Sequence, residues 1–380
     1  MKNRQIILED TTLRDGEQAP GIAFSPETKV MIFHALTNAG VQWIEAGIPA
    51  MKGKEVKALQ EMLERRKEVN LIGWNRGVLD DIKFTISMGF KALHIGLPTS
   101  DIHLNHSIRK NKDWLLKTAT HLVKYAKDKD CFVSISAEDV GRTDLHFLQK
   151  YAASVHDAGA DRLRLSDTIG ILDSTSYAKR VKTVADACSI KTQCHCHNDF
   201  GLAVSNTLAG LEAGATYFHS CINGIGERAG MPDMTQMVMA LLYFHNVDTG
   251  VDTTQLVCLS QLVAEACNQP ILPWQPVVGS NVFAHESGIH TKGVLSNSKT
   301  FEPFSPDLVG NKRRLCIGKH SGRAVIRYVL EKNGIIVEEA APLEECLAHV
   351  RDFAIEKRGE VTPEELINIY HSLQQETINV

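Results

Sequence analysis

Short apolar runs recur along the chain with helical patterns between them, and this alternation predicts an α/β protein. Eight runs read as strands: Gln5–Asp10, Trp43–Ile48, Val69–Trp74, Ala92–Leu97, Phe132–Ala137, Arg162–Ser166, Lys191–His195 and Tyr217–Ile222. Their spacing leaves room for a loop and a helix after each strand. Helix borders are well marked. Ser25-Pro26-Glu27 supplies an N-cap, a proline at the first helical position and an acid in the first turn. The apolar stretch Leu202–Ala213 reads as a helix ended by Gly214, and Asn38-Ala39-Gly40 and Asp157-Ala158-Gly159 close others in the same way.

Eight such units predict a closed (β/α)8 TIM barrel, of which about 250 residues is typical, in preference to an open doubly wound sheet. The pattern then changes. Val251–Gln269 reads as helix, residues 270–310 are rich in turn formers, and the chain is helical again from Ser321. Thr362-Pro363-Glu364-Glu365 starts a last helix. The expectation is a catalytic barrel over residues 1–269, followed over 270–380 by a linker and small, mainly helical C-terminal subdomains.

Composition narrows the function classes. The chain has 380 residues, 43% apolar and 23% charged, and a formal net charge of −4. That balance gives no general attraction to nucleic acid or to an anionic membrane. The run Lys312-Arg313-Arg314 reads as a solvated face or a local anion site. The early apolar run Ile6-Ile7-Leu8 is too short for a signal segment, and no stretch is apolar enough to span a bilayer. Nine scattered cysteines suit reduced thiols in a cytoplasmic enzyme better than a disulfide framework.

In a barrel of this kind the chemistry sits where the strands end. Every predicted strand here ends in polar groups. They include Arg14, Asp15 and Gln18 after the first strand and Glu45 at the second. His94 follows on the fourth, Ser134, Ser136 and Glu138 on the fifth, Thr168 after the sixth, and Glu227-Arg228 after the eighth. The seventh carries Cys194, His195, Cys196 and His197, four consecutive possible ligands. Side chains alternate across a strand. His195 and His197 therefore share one face, and the two cysteines share the other. Cysteine is at ease packed beneath helices, whereas imidazole is not. The histidines are thus expected to face the barrel and the cysteines to pack. Two histidines can be a satisfied structural pair. With Asp15 on the facing rim, the pattern reads as a metal site of two imidazoles and one carboxylate. Three protein ligands with open positions suit catalysis, and the donor set admits Zn, Mn, Fe, Co or Mg.

These residues fall in stretches that resemble a known family. DTTLRDGEQ, HCHND, NGIGERAG and SNVFAHESGIH together are similar to the acyl-CoA Claisen-condensing synthases built on a metal-dependent TIM barrel. Isopropylmalate, citramalate and homocitrate synthases belong to that family. The stretches LEDTTLRDGEQAPGIAF, EAGIPAM, LPTSDIHLNH, DTGVDT and RRLCIGKHSG resemble most the nitrogen-fixation type of homocitrate synthase. The resemblance runs from about residue 4 to the C-terminus, with no room for the long leucine-sensing domain of typical isopropylmalate synthases.

The resemblance implies that Asp15, His195 and His197 bind the metal and that Arg14 stabilises the enolate and keto oxygen. It implies that Gln18 and Thr168 hold a 2-oxo acid, that Glu138 lines the site, and that His290 reaches the active site of a neighbouring subunit. A homodimer with a swapped C-terminal subdomain follows. Two departures stand out. Met231 occupies the position of an asparagine ligand of isopropylmalate synthases, and Asn311-Lys312-Arg313-Arg314 occupies a region where relatives carry a tyrosine.

The expected reaction condenses acetyl-CoA with 2-oxoglutarate and water to give homocitrate and CoA. His290 is the candidate base, assisted by Glu138 or Glu286, and His94, Ser134 and Ser136 are candidates for choosing the acceptor. Gly224, Gly226 and Gly230 form either a turn near the CoA thioester or a plain structural turn. Related synthases with citramalate, isopropylmalate or phosphonate-type products are the nearest alternatives. A 3-hydroxy-3-methylglutaryl-CoA lyase is disfavoured, because the GERAG loop lacks the cysteine of that family's GGCPYA loop. A non-enzymatic metal-binding protein would leave Arg14, Glu138, Thr168 and His290 unexplained.

Overall fold

The computed structural model describes residues 1, 4–65, 69–337 and 341–378. Two compact units divide the chain, Met1–Ile271 and Leu272–Val380.

The first unit is a closed barrel of eight parallel strands in sequential order. They are β1 (Ile7–Asp10), β2 (Trp43–Gly47), β3 (Asn70–Arg76), β4 (Ala92–Gly96), β5 (Phe132–Glu138), β6 (Arg162–Asp167), β7 (Lys191–Cys196) and β8 (Tyr217–Ser220). Each predicted strand is present with its ends shifted by at most two residues. Intervening helices are α1 (Pro26–Asn38), α2 (Gly53–Arg65), α3 (Leu79–Ser87), α4 (Lys112–Lys127), α5 (Leu145–Asp157), α6 (Ser174–Ala185) and α7 (Ala203–Glu212). Then α8 (Met234–His245) follows the last strand, and α9 (Leu256–Cys267) ends the unit. The caps are those the sequence predicts. Ser25 accepts the Thr28 amide at 3.1 Å, with Pro26 opening α1. Gly40, Gly159 and Gly214 take positive φ just past helix ends.

The barrel interior is not the usual stack of aliphatic side chains. Its N-terminal end is an aromatic floor of Trp43, Phe132 and Tyr217, with ring centroids 5.1 and 5.7 Å from Trp43. The guanidinium of Arg162 lies over all three rings, 4.7 Å from the Tyr217 centroid. Above it Glu9, Glu45, Arg164, His94 and His219 are fully or almost fully buried. These charges are paired: Arg162 with Glu9 at 2.7 Å and Arg164 with Glu45 at 2.6 Å. Pairing offsets the cost of burial, which an isolated ion could not bear.

The second unit contains the short parallel pair β9 (Ala284–His285) and β10 (Arg314–Leu315). Its helices are α10 (Gly288–Ser296), α11 (Arg323–Lys332), α12 (Ala341–Lys357) and α13 (Pro363–Ile378). Val325, Ile326, Leu330, Cys346, Val350 and Leu366 form its own apolar core. A reciprocal capping box starts α13: Thr362 accepts the Glu365 amide at 3.2 Å, and Glu365 accepts the Thr362 amide at 2.8 Å. Arg313 pairs with Glu302 through two bonds of 2.6 Å, and Arg314 with Glu360 at 3.1 Å. Two cations of the basic run are therefore held in ion pairs.

All nine cysteines are unpaired. Among the described residues no helix is long and apolar enough to cross a membrane.

Candidate active site

The β1 strand delivers its chemistry through a tight turn. Thr11 receives a hydrogen bond from Gly16, donates its hydroxyl to Glu45 at 2.8 Å, and accepts the Asp15 amide at 3.3 Å. Arg14 and Asp15 are thereby fixed over the barrel mouth. Arg14 is buried and spends two edges on protein partners: Nε on Glu45 at 2.5 Å, and Nη1 on Asp15 at 2.8 Å and Gln18 at 3.0 Å. Its Nη2 makes no hydrogen bond among the described residues. Because Gln18 accepts from Arg14 through Oε1, its amide nitrogen is left as a donor.

The alternation argument holds on β7. His195 and His197 turn toward Asp15, with Nε2 3.6 and 4.0 Å from Asp15 Oδ2. Those spacings are too long for hydrogen bonds. They bring one donor atom from each of the three buried residues within 4.8 Å of the others, the arrangement a cation needs. Burial raises the Asp15 carboxyl, but Arg14 and then His197 outweigh it, so the group ionises below its ordinary range. Burial, then the neighbouring His219, His197 and Arg14, hold His195 well below the usual imidazole range, so it is neutral and free to ligate. The donor set thus fits a divalent cation. Cys194 and Cys196 point the other way. A side chain added at Gly210 of α7 would strike Cys194 Sγ, and Tyr177 of α6 packs at the same place. Burial raises the Cys194 thiol to about 12, which removes it as a thiolate donor near neutral pH.

The glycines of NGIGERAG wrap this site closely. Gly224 and Gly230 have φ of +64° and +93°, and a Cβ on Gly230 would collide with the Gly224 carbonyl. A Cβ on Gly226 would lie 3.0 Å from Asp15 Oδ1 and 2.9 Å from the Met231 side chain. Met231 is buried under the loop. Arg228 then clamps two rim loops, holding Asp199 at 2.8 and 3.0 Å and the Thr168 carbonyl at 2.6 Å.

Arg14, Asp15, Gln18, His94, Glu138, Thr168, His195 and His197 line one cavity of about 200 Å³. Trp74 and Arg164 join them in its wall. Burial raises the Glu138 carboxyl despite Arg14 and a hydrogen bond from Ser136, giving it more base strength than an ordinary glutamate. Ser134 and Ser136, expected as substrate contacts, are absent from that wall. Ser134 is fully buried between His94 and Arg162, at 2.9 and 3.0 Å. Ser136 takes the Leu97 amide at 3.1 Å and reaches Glu138 at 3.3 Å. Both stand one layer back, committed to protein partners. His290 belongs to the second unit, where it is exposed and its ring stacks on Phe301 with centroids 4.0 Å apart. Glu286 of the same unit accepts the His320 amide at 3.0 Å.

Comparison with known proteins places these features in a family context. Residues 5–263 match the profile of the HMGL-like family, and residues 277–358 match the homocitrate synthase post-HMGL domain-like profile. The chain is 53% identical over 371 residues to a 2-phosphonomethylmalate synthase of Streptomyces rubellomurinus, covering 98% of this chain and 99% of that protein. It is 41% identical to homocitrate synthase 1 of a Nostoc species, covering 96% and 97%. It is 40% identical to 2-isopropylmalate synthase 2 of Caldanaerobacter subterraneus, covering 98% and 97%. Among solved structures, a 3-hydroxy-3-methylglutaryl-CoA lyase of Pseudomonas aeruginosa matches 70% of this chain and 94% of its own. Its TM-score is 0.64 at 20% identity, a likeness of fold.

Proposed function

We propose a function from one premise: the chain belongs to the metal-dependent acyl-CoA condensing synthases, within the HMGL-like family. We infer that it joins the methyl carbon of acetyl-CoA to the keto carbon of a 2-oxo acid, and that water then releases CoA. The observation that carries this reading is the buried triad of Asp15, His195 and His197 with the Arg14 guanidinium bonded to it inside one small cavity. Asp15, His195 and His197 would hold a divalent cation, which would supply Lewis-acid polarisation of the acceptor's keto group.

The rest falls to the chain's own residues. Arg14 Nη2 faces the oxygen on which negative charge develops and needs no reorientation, because Glu45 and Asp15 already fix the other edges. The Gln18 amide donates to the acceptor's carboxylate. Glu138, raised by burial, takes the methyl proton at its carboxylate oxygen, with His290 or Glu286 of a neighbouring subunit as the other candidates. The second unit is proposed to complete the partner's site in a homodimer. Thr168, which accepts the Asp139 amide at 2.8 Å, holds its hydroxyl at the cavity rim for the acceptor.

For the acceptor, 53% identity to a phosphonomethylmalate synthase against 41% to a homocitrate synthase favours a phosphonate-bearing oxo acid over 2-oxoglutarate. Homocitrate formation is the second reading, supported by the match of residues 277–358. The test is CoA release from acetyl-CoA with 3-phosphonopyruvate, 2-oxoglutarate, pyruvate and 2-oxoisovalerate in parallel. Release with the phosphonate at a kcat/KM at least tenfold above the others supports the first reading. Release led by 2-oxoglutarate supports the second, and no release with any acceptor sinks both.

A further inference from the structure

His195 has a second polar contact beneath the cavity. Its Nδ1 lies 2.8 Å from Nδ1 of His219 on β8, and Nε2 of His219 lies 2.6 Å from Glu9 on β1. Glu9 is held in turn by Arg162 at 2.7 Å and Arg164 at 3.3 Å. His219 and Glu9 are 0% exposed, and His195 is 4% exposed. We infer that His219 and Glu9 are positioning residues that fix the ring of the metal ligand His195 from inside the barrel.

Two nitrogens 2.8 Å apart share one hydrogen, so the direction of the contact has to be chosen. His195 turns Nε2 toward Asp15, which assigns that atom to the cation and the ring hydrogen to Nδ1. His195 therefore donates, and His219 accepts through its own Nδ1. The hydrogen of His219 is then on Nε2, where it meets Glu9. Each group in the line has one role compatible with its neighbours, and reversing any link leaves two acceptors or two donors facing each other. A carboxylate behind a ligating histidine holds the ring and raises ligand basicity. Here that carboxylate acts through an interposed imidazole. His197 has no such support: its Nδ1 is buried with no hydrogen-bond partner. The two histidine ligands are thus unequal, and orientation of the site rests on His195.

The inference rests on the metal-site reading above, and its test uses metal affinity without substrate. Apo protein and variants are titrated with Zn(II) and Mn(II) against a chromophoric chelator, with circular dichroism and apo thermal midpoints measured alongside. His219→Phe removes the acceptor and is expected to weaken metal binding by about 10–100-fold. His219→Gln keeps an acceptor for His195 and a donor for Glu9, so its affinity is expected to stay within about threefold of wild type, a bound set by one retained hydrogen bond. If His219→Phe does not fold, His219→Asn replaces it. Asn is one methylene too short to reach both neighbours, and the same loss relative to His219→Gln is expected. A folded His219→Phe or His219→Asn with wild-type affinity would overturn the relay while leaving the metal site standing. A folded wild-type protein that binds neither ion would instead sink the metal-site reading itself.

Discussion

Ser134 Oγ lies 2.9 Å from His94 Nδ1 and also accepts the Nε hydrogen of Arg162 at 3.0 Å. Arginine only donates, and Nδ1 is the one acceptor paired with the Ser134 hydroxyl among the described residues, so the serine hydrogen is assigned to Nδ1. The His94 hydrogen is then on Nε2, a fully buried atom with no protein partner, in a residue that lines the cavity. Burial and then Arg164 hold this imidazole neutral. His94 is on β4, across the barrel from Asp15 in the turn after β1 and from His195 on β7. On the proposed function, an acceptor anchored at the triad would extend its far end toward His94. A carboxylate or phosphonate there satisfies the Nε2 hydrogen, and an aliphatic branch leaves it unpaired.

The first prediction concerns acceptor choice. A hydrogen bond to a charged group is worth about 1.5–3 kcal/mol, so His94→Leu should lower kcat/KM for acidic acceptors by about 10–100-fold. The same change should leave 2-oxoisovalerate unchanged or improved. CoA-release kinetics with both acceptor types read this directly. An equal loss for both would show that His94 does not discriminate.

Arg14 gives a second prediction, which the structure alters. Alanine at this position would remove one of the two cations, Arg14 and Arg164, that hold the buried Glu45, and would strip Asp15 of its partner, so stability would fall as well. A lost turnover in Arg14→Ala would thus mix folding with chemistry. Arg14→Lys keeps the charge but not the fork that bonds Glu45, Asp15 and Gln18 at once. It should bind metal and lower kcat by about 100–1000-fold. Isothermal metal titration together with kcat measures both, and a kcat within tenfold of wild type contradicts the role.

A third prediction separates the strand faces. Cys194→Ala and Cys196→Ala should keep stoichiometric metal and cost about 1 kcal/mol of packing each. His195→Ala and His197→Ala should lose metal. Metal content after dialysis decides, and depletion in either cysteine variant would mean the strand faces are assigned wrongly.

The strands and the shared face of His195 and His197 could be read in the sequence because each rests on local periodicity, whereas Asp15 joined them through the strand-end argument and the family resemblance. Alternation put His195 and Cys194 on opposite faces, and the packing preference of cysteine chose between the faces. The ionic interior could not be read in the same way. Glu9, Arg162 and His219 name no partner within their own segments, and only barrel closure brings Arg162 to Glu9, 153 positions away. The place of Ser134 behind the cavity wall is hidden from the sequence for a related reason. Its register opposite Arg162 and beside His94 is a property of three neighbouring strands, and no single segment contains it. The Asp199–Arg228 clamp likewise joins two loops whose motifs show charge but not partner.

Asp10 provides a pH prediction. It is fully buried at the end of β1, and burial raises its carboxyl to about 7 although Thr12 donates to it twice. The folded state thus holds a proton that the unfolded chain releases near its ordinary carboxyl range. Stability from this group is present below about pH 4 and is lost as pH rises to about 7, by up to roughly 4 kcal/mol. Asp10→Asn mimics the protonated acid and should flatten that slope. Urea unfolding of both proteins between pH 4 and 8 gives the comparison, and identical slopes would contradict the assignment.

The last prediction tests whether His290 serves the site of a partner subunit. Arg14→Lys and His290→Ala should each be nearly inactive alone. In a dimer containing one of each, a swapped arrangement combines the intact barrel of the second chain with the intact His290 of the first. That gives one sound site and one carrying both defects. Random re-pairing of equal amounts yields half heterodimers, so activity should return to about a quarter of wild type, given the two-fold symmetry of such dimers. If each chain used its own His290, every site in the mixture would carry one defect and nothing would return. Mixing the variants under conditions that exchange subunits, and following CoA release over time, distinguishes the two arrangements. Activity equal to the mean of the separate variants would place His290 with its own barrel or outside the reaction.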